Sequence, residues 1–292
     1  MGGGGGRIGR GWRLAKESWG VLRADHTLVL FPIVSGIAIL LAAIVLIGPG
    51  TALYATDTSK PGAIVLWAIA LYALTFIGIY CNVALAAAAS QALDGKDATL
   101  ASGFAVARTR SGPVAAWALV ALVVGALLQA IDAALSETPG GRILGSIVSG
   151  LLGAAWSIVT FFVVPVLALE GVGPQAALKR SASVIRARWG EGFVGAASIT
   201  GVVFLCAILP AIAVGAIGVA VVGSSPAGGG VLIGIAVAVI VAALIIGSTL
   251  SAIFRVVLFR YATDGTTAPG FDPATLEGAF RPKQSRRGRR GF

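Results

Sequence analysis

Lys179, Arg180, Arg186 and Arg188 crowd one short segment, Leu178–Gly190 (LKRSASVIRARWG), and Trp189 stands beside the last of them. Leu178, Ala182, Ile185 and Trp189 recur at i, i+4, i+7 and i+11, which is one face of a helix. Lys179, Arg180, Ser183 and Arg186 take the opposite face. Cations arranged this way do not catalyse. They attract anions, and a basic amphipathic helix is built to lie along a membrane surface. Arg10, Arg13 and Lys16 near the start of the chain, and Arg108 and Arg110 in the middle, repeat the theme. Each such charge close to an anionic leaflet is worth about 1 kcal/mol. These residues are the expected contacts to anionic lipid. Plain anchoring competes with specific headgroup or phospho-ligand binding.

A second class of candidates lies inside apolar runs, where polar groups are costly and their positions informative. They are Asn82, Gln129 and Asp132. Asp132 falls near the end of its run, which favours an interfacial position over a proton or substrate path. Asn82 is expected to bridge helices, at a typical worth of about 0.6 kcal/mol.

Groups for other chemistry are sparse. The single His26 excludes His-rich metal sites, and with Asp25 beside it reads as a helix boundary at the headgroups. Nucleotide-binding, zinc-protease and serine-hydrolase signatures are absent. Cys81 and Cys206 both fall in apolar runs and read as small buried hydrophobes. No catalytic residue, metal or cofactor is expected.

The elements that carry these residues belong to a membrane protein. Of 292 residues, 57% are hydrophobic and 12% charged, against about 25% charged in a soluble domain. The mean hydropathy is +0.93. The net charge of +10 sits in loops and tails rather than on a nucleic-acid face. Residues 1–6 form a glycine run read as disordered, and Arg7–Arg23 an interfacial helix. A bilayer core needs roughly 20 apolar residues per helix. Six runs qualify: Thr27–Gly48, Gly62–Gln91, Pro113–Leu135, Ile143–Leu169, Gly192–Val222 and Val231–Tyr261. Pro165 and Pro210 are expected kinks, and Gly145, Ser149, Gly153 and Ser157 form a small-residue packing ridge. Residues 263–292 are a polar tail.

Of the 22 Lys and Arg, only Lys60 and Arg142 lie in the odd-numbered hairpin loops. The other 20 predict both termini on the cytoplasmic side of a bacterial plasma membrane.

The basic segments also align. Ala92–Gly95 (ALDG) matches Ala168–Gly171 (ALEG), and Arg108, Arg110 and Gly112 match Arg186, Arg188 and Gly190. Lys16, Trp19 and Gly20 join the set. Asp94-Gly95, Glu170-Gly171 and Asp264-Gly265 each close an even-numbered run, and glycine there suits a left-handed helix stop. This suggests a threefold tandem repeat over about 7–91, 92–169 and 170–262, related by an axis along the membrane normal.

RIGRGWRLAKESWGVLRADHTLVLFP at the start and YATDGTTAPGFDPATLEGAFRP at the end resemble a group of uncharacterised actinobacterial six-span membrane proteins, a domain of unknown function. The pattern is more distantly similar to the membrane domain attached to some glycerophosphodiester phosphodiesterases. The resemblance implies location and topology and assigns no site residue.

The expected fold is therefore all-α, with six transmembrane helices and three basic amphipathic helices at the inner surface. The leading functional expectation is a non-enzymatic protein that organises or senses anionic lipid, or forms the membrane subunit of an assembly. Its partners would be membrane lipids, with a protein partner or a second copy left open and nucleic acid excluded. A small-molecule or ion transporter or channel is the rival.

Overall fold

The computed structural model describes residues 19–20, 23, 25–56, 59–137, 141–188 and 203–265, the side chains of 141, 142, 144 and 188 excepted. Its regular structure among those residues is entirely helical. Six helical stretches are long and apolar enough to cross a membrane: His26–Ala55, Lys60–Leu93, Ser111–Ser136, Gly145–Leu169, Phe204–Val221 and Pro226–Asp264. Their outward faces are bare hydrocarbon. Leu40, Leu41, Ile44 and Val45 in the first stretch are each about 60% exposed, which only lipid solvates cheaply. The chain divides into two compact units, residues 22–183 and residues 1–21 with 184–292.

In the first unit a 3-10 turn, His26–Val29, opens helix α1 (Leu30–Ala55). Asp25 caps it, accepting a hydrogen bond from the Thr27 N–H. The expected helix boundary at Asp25 and His26 thus has a physical cause in the Asp25 cap. α1 runs on through Pro49, past the expected end of the first span at Gly48. Ser59 then caps α2 (Lys60–Leu93) by accepting from the Gly62 N–H, with Pro61 in the first turn, where its missing N–H costs nothing. α2 stops at Asp94-Gly95, and Gly95 takes the left-handed φ of +70°.

A short helix, α3 (Leu100–Thr109), follows with a Thr99–Ser102 capping box. α4 (Ser111–Ser136) and α5 (Gly141–Val159) form the next hairpin. The fourth span is not one kinked helix as the sequence suggested. It breaks at Thr160–Phe162 and resumes as α6 (Val163–Leu169). Pro165, in the resumed helix, offers no N–H to the carbonyl a turn before it, which falls in the break. Glu170-Gly171 ends α6, and α7 (Pro174–Arg188) carries the basic segment across the boundary between the units.

In the second unit a π-helical stretch, Phe204–Ile208, leads into α8 (Leu209–Val221), with Pro210 at the junction. Ser225 caps α9 (Pro226–Asp264), which starts five residues earlier than expected because Ser225 accepts from the Gly228 N–H. α9 ends at Gly265, again left-handed, with φ +69°. Its 39 residues span ~58 Å at 1.5 Å each, well beyond a ~30 Å hydrocarbon core.

Packing is uneven along the spans. In the first unit the core lies at the end that carries the Asp94 and Glu170 stops, called here the basic end. Val83 to Ala89 of α2 are buried on every side, as are Phe161 to Val163 and Pro165 to Ala168 at α6. A helix apolar all round is a central helix. In the second unit Ile253, Phe254 and Val256 to Phe259 of α9 are likewise buried ahead of Asp264. Toward the opposite end the hairpins touch through glycine. Gly50 meets the Trp67 indole, Gly145 meets Leu135 and the Asp132 carbonyl, and Gly218 meets Gly229 backbone to backbone.

Candidate functional site

The basic end of the first unit is held by polar contacts that the apolar pattern does not announce. The Thr27 hydroxyl donates to the Ala98 carbonyl at 2.6 Å, tying the start of α1 to the loop before α3. The Ser102 hydroxyl donates to Gln91 Oε1 at 2.6 Å, tying α3 to the end of α2. Gly103 of α3 sits so close to Phe31 and to the Ala84 carbonyl that a Cβ would fall 2.6–2.8 Å from them. Phe104 lies 5.4 Å from Phe31 and 5.9 Å from Tyr80, ring to ring. α3 is therefore packed onto α1 and α2 rather than resting loosely at their side.

α7 is seated in the same manner, and its face differs from the one expected. The buried strip is Ala177, Ser181 and Val184. Leu178, Ala182 and Ile185, the expected apolar face, are half-buried beside it, and Lys179, Arg180, Ser183 and Arg186 are exposed. The strip turns inward because Ser181 has backbone to satisfy. The break in the fourth span interrupts the helical ladder between Val159 and Val163. Ser181 Oγ accepts from Phe162 N–H at 3.1 Å and donates to the Val159 carbonyl at 2.6 Å. One hydroxyl repairs both sides of the gap, a place where irregular backbone is tolerated only with such partners. The sequence signal was present: Ser181 lies i+4 from Ala177 and i−3 from Val184. It was overshadowed by the bulkier residues next to it.

The expected lipid contacts separate into distinct environments. Arg108 and Lys179 are exposed at this end, and Arg186, further along α7 in the second unit, is exposed as well. Arg180 is exposed too, and pairs with Glu170 at 2.9 Å. Arg110 is not an outward cation. Its side chain is half-buried, its Nε is sealed from solvent without a hydrogen-bond partner, and its guanidinium packs against Gly171. Arg188 continues α7 but its side chain, together with Arg10, Arg13, Lys16 and Trp189, lies outside the described residues.

The intramembrane candidates do not converge. Asn82 bridges no helices: it is exposed and donates to the Gly78 carbonyl of its own helix at 2.8 Å, a local bond that costs no second helix. Gln129 is exposed. Asp132 is half-buried and accepts from the Ser149 hydroxyl at 3.0 Å, joining α4 to α5. Of the small-residue ridge, Gly145 and Ser149 face α4, whereas nothing approaches Gly153 and Ser157 is exposed. Cys81 is buried, but Cys206 is exposed on the π-helical stretch, not buried as expected. No cluster of His, Cys, Asp and Glu among the described residues could hold a metal ion.

Apolar six-helix topology with a packed, cation-bearing end defines a multi-pass membrane protein. Within that class the chain belongs to a family of unknown function, DUF6159, whose model matches residues 61–271. No curated protein and no solved structure matches the chain.

Proposed function

We propose that this is a non-enzymatic protein of the bacterial plasma membrane whose basic end engages anionic lipid, either to organise that lipid or to anchor an assembly for which it is the membrane subunit. One observation carries the reading. Arg108, Lys179, Arg180 and Arg186 are exposed on helices whose other faces are packed at one end of the apolar spans, through Gly103, Ala107, Ala177 and Ser181. Cations held at a fixed depth on a rigid mount suit a headgroup layer better than cations on a floppy tail do.

In this reading the basic end and both termini face the cytoplasm, as the charge asymmetry predicts. A threefold repeat is supported by the left-handed glycines, which are Gly95, Gly171 and Gly265, each following an acid at the end of an even-numbered span. The termini support kinship with actinobacterial six-span proteins and, more remotely, with the membrane domain of glycerophosphodiester phosphodiesterases.

The test is lipid selection. Full-length protein is reconstituted in mixed phosphatidylglycerol and phosphatidylcholine, extracted with polymer as native discs, and its retained lipid analysed. Lys179→Ala, Arg180→Ala and Arg186→Ala together should remove ~3 kcal/mol of preference, about 100-fold in relative retention. Unchanged retention sinks the lipid reading.

A transporter or channel is the second reading, and the broken fourth span favours it, because discontinuous helices line transport sites. Flux into proteoliposomes that Asp132→Asn abolishes would support it, and absence of flux over a broad solute panel would count against it.

A further inference from the structure

The two helices that follow the first acid-glycine stops dock in the same way. After Asp94-Gly95, α3 turns back onto α2 and lays Gly103 on the Ala84 carbonyl, ten residues before Asp94. After Glu170-Gly171, α7 turns back onto the fourth span and bonds Ser181 to Val159 and Phe162, eleven and eight residues before Glu170. Gly103 and Ser181 each stand three residues past a leucine, Leu100 and Leu178. In both cases the contact is the backbone of the span, so the docking residue is small. α9 ends in the third such stop, Asp264-Gly265.

α9 is buried at the matching depth. Val83 to Ala89 of α2 lie eleven to five residues before Asp94, and Ile253, Phe254 and Val256 to Phe259 of α9 lie eleven to five residues before Asp264. The described part of the fifth span stops short of them. It begins at Val203, whose side chain faces Gly247. Ile253 to Val256 lie ~9–14 Å further along α9 at 1.5 Å per residue. Their burial calls for a further element, as α3 supplies one for α2.

The chain beyond Gly265 carries the sequence of that element. Residues 266–292 lie outside the described residues, but residues 274–280, ATLEGAF, repeat residues 98–104, ATLASGF, at four of seven positions. Three of the shared residues have visible duties in seating α3. The Ala98 carbonyl accepts from the Thr27 hydroxyl, Thr99 caps the helix by accepting from the Ser102 N–H, and Phe104 packs its ring on Phe31 and Tyr80. Ala279, three residues past Leu276, takes the place of Gly103 and Ser181.

We propose that residues 274–280 dock on the basic end of α9 as the third interfacial element, with Ala279 against Ile253 to Val256 and Phe280 against Leu250. Leu250 is 5% exposed and stands fourteen residues before Asp264, just as Tyr80, the partner of Phe104, stands fourteen before Asp94. The linker is long enough. Nine residues from Gly265 to Ala274 extend up to ~30 Å, against ~16 Å from Gly265 back to Phe254 along the helix. Seated this way, the tail holds Lys283, Arg286, Arg287, Arg289 and Arg290 beside the Asp264 stop, where they add a third basic platform. The inference rests on the tandem-repeat reading and is independent of lipid selection.

The experiment uses full-length protein in neutral detergent, with Cys81 and Cys206 replaced by serine and new cysteines introduced. Ala279→Cys should react with a maleimide roughly tenfold or more slowly than Lys283→Cys, because burial blocks access to the thiolate. On mild oxidation Ala279→Cys should form an intramolecular disulfide with at least one of Ile253→Cys, Phe254→Cys and Val256→Cys, identified by mass spectrometry of the linked peptides. It should form none with Val241→Cys, which is exposed further from the Asp264 stop. Ala279→Cys alone exchanges one small residue for another, so the labelling arm holds even where a paired variant fails to fold. Reaction at Ala279→Cys as fast as at Lys283→Cys overturns the proposal. Slow reaction with no disulfide to any of the three folded partners overturns it too, since the tail would then be seated elsewhere. Ala177→Cys in α7, a fully buried position, is the protected standard. If it is protected and Ala279→Cys is not, the tail docking fails while the two described members of the repeat stand.

Discussion

Ser181 shows how one hydroxyl decides the course of a span. It is fully buried and bonded to both sides of the gap between α5 and α6. Ser181→Ala would leave the Phe162 N–H and the Val159 carbonyl buried with no partner from α7, and each such loss costs about 1–3 kcal/mol. The expected result is a clearly lower unfolding midpoint in detergent, read by circular dichroism. Ser183→Ala two residues on should change almost nothing, because Ser183 is exposed and bonds only to the Arg180 carbonyl of its own helix. Equal midpoints for the two variants would show that α7 does not support the broken span. At the same scale the Asp132 carboxylate accepts from Ser149, a residue of the small-residue ridge, and so joins the two helices of one hairpin.

Among elements, the hairpins are closed at the end away from the basic loops by glycine contacts. In the second unit a Cβ on Gly229 would lie 2.6 Å from the Val222 Cα and 2.7 Å from the Gly218 carbonyl, whereas nothing surrounds Gly230. Lipid gives helices no hydrophobic reason to associate, so close backbone approach and dispersion carry the pairing. Gly229→Leu should therefore open the α8–α9 hairpin and cost at least about 1–3 kcal/mol through overpacking. Gly230→Leu, one residue away and facing outward, should be tolerated. Protease susceptibility of the Ser224–Ser225 turn in detergent is the measurement, with enhanced cleavage expected for Gly229→Leu alone. The aromatic stack of Trp117 on Trp156, with centroids 5.7 Å apart, performs the corresponding task between α4 and α5.

For the whole molecule the charge asymmetry makes a prediction about sidedness. With Cys81 and Cys206 replaced, a single cysteine at Lys96 should be labelled by an impermeant maleimide only in inverted vesicles. A cysteine at Ser224 should be labelled in intact cells. The reverse pattern would reject a cytoplasmic basic end and with it the inner-leaflet setting of the exposed cations. Labelling of both positions from one side would reject the hairpin topology itself.

Residue types and their periods determined the membrane class, six apolar spans and the helix stops. These depend on local quantities: an apolar run must exceed a bilayer's thickness, and an acid followed by glycine ends a helix wherever it occurs. Gly95, Gly171 and Gly265 were legible for that reason. Which face of the basic helix turns inward was not legible. Bulk favoured Leu178, Ala182 and Ile185, but the buried face is Ala177, Ser181 and Val184, because the need to satisfy broken backbone outweighs the size of a side chain. Arg110 was grouped with the outward cations, since its spacing from Arg108 says nothing about Gly171, 61 positions away. Only the tertiary fold sets that arginine on that glycine: the contact joins two chain reversals whose separation in sequence carries no periodic signal.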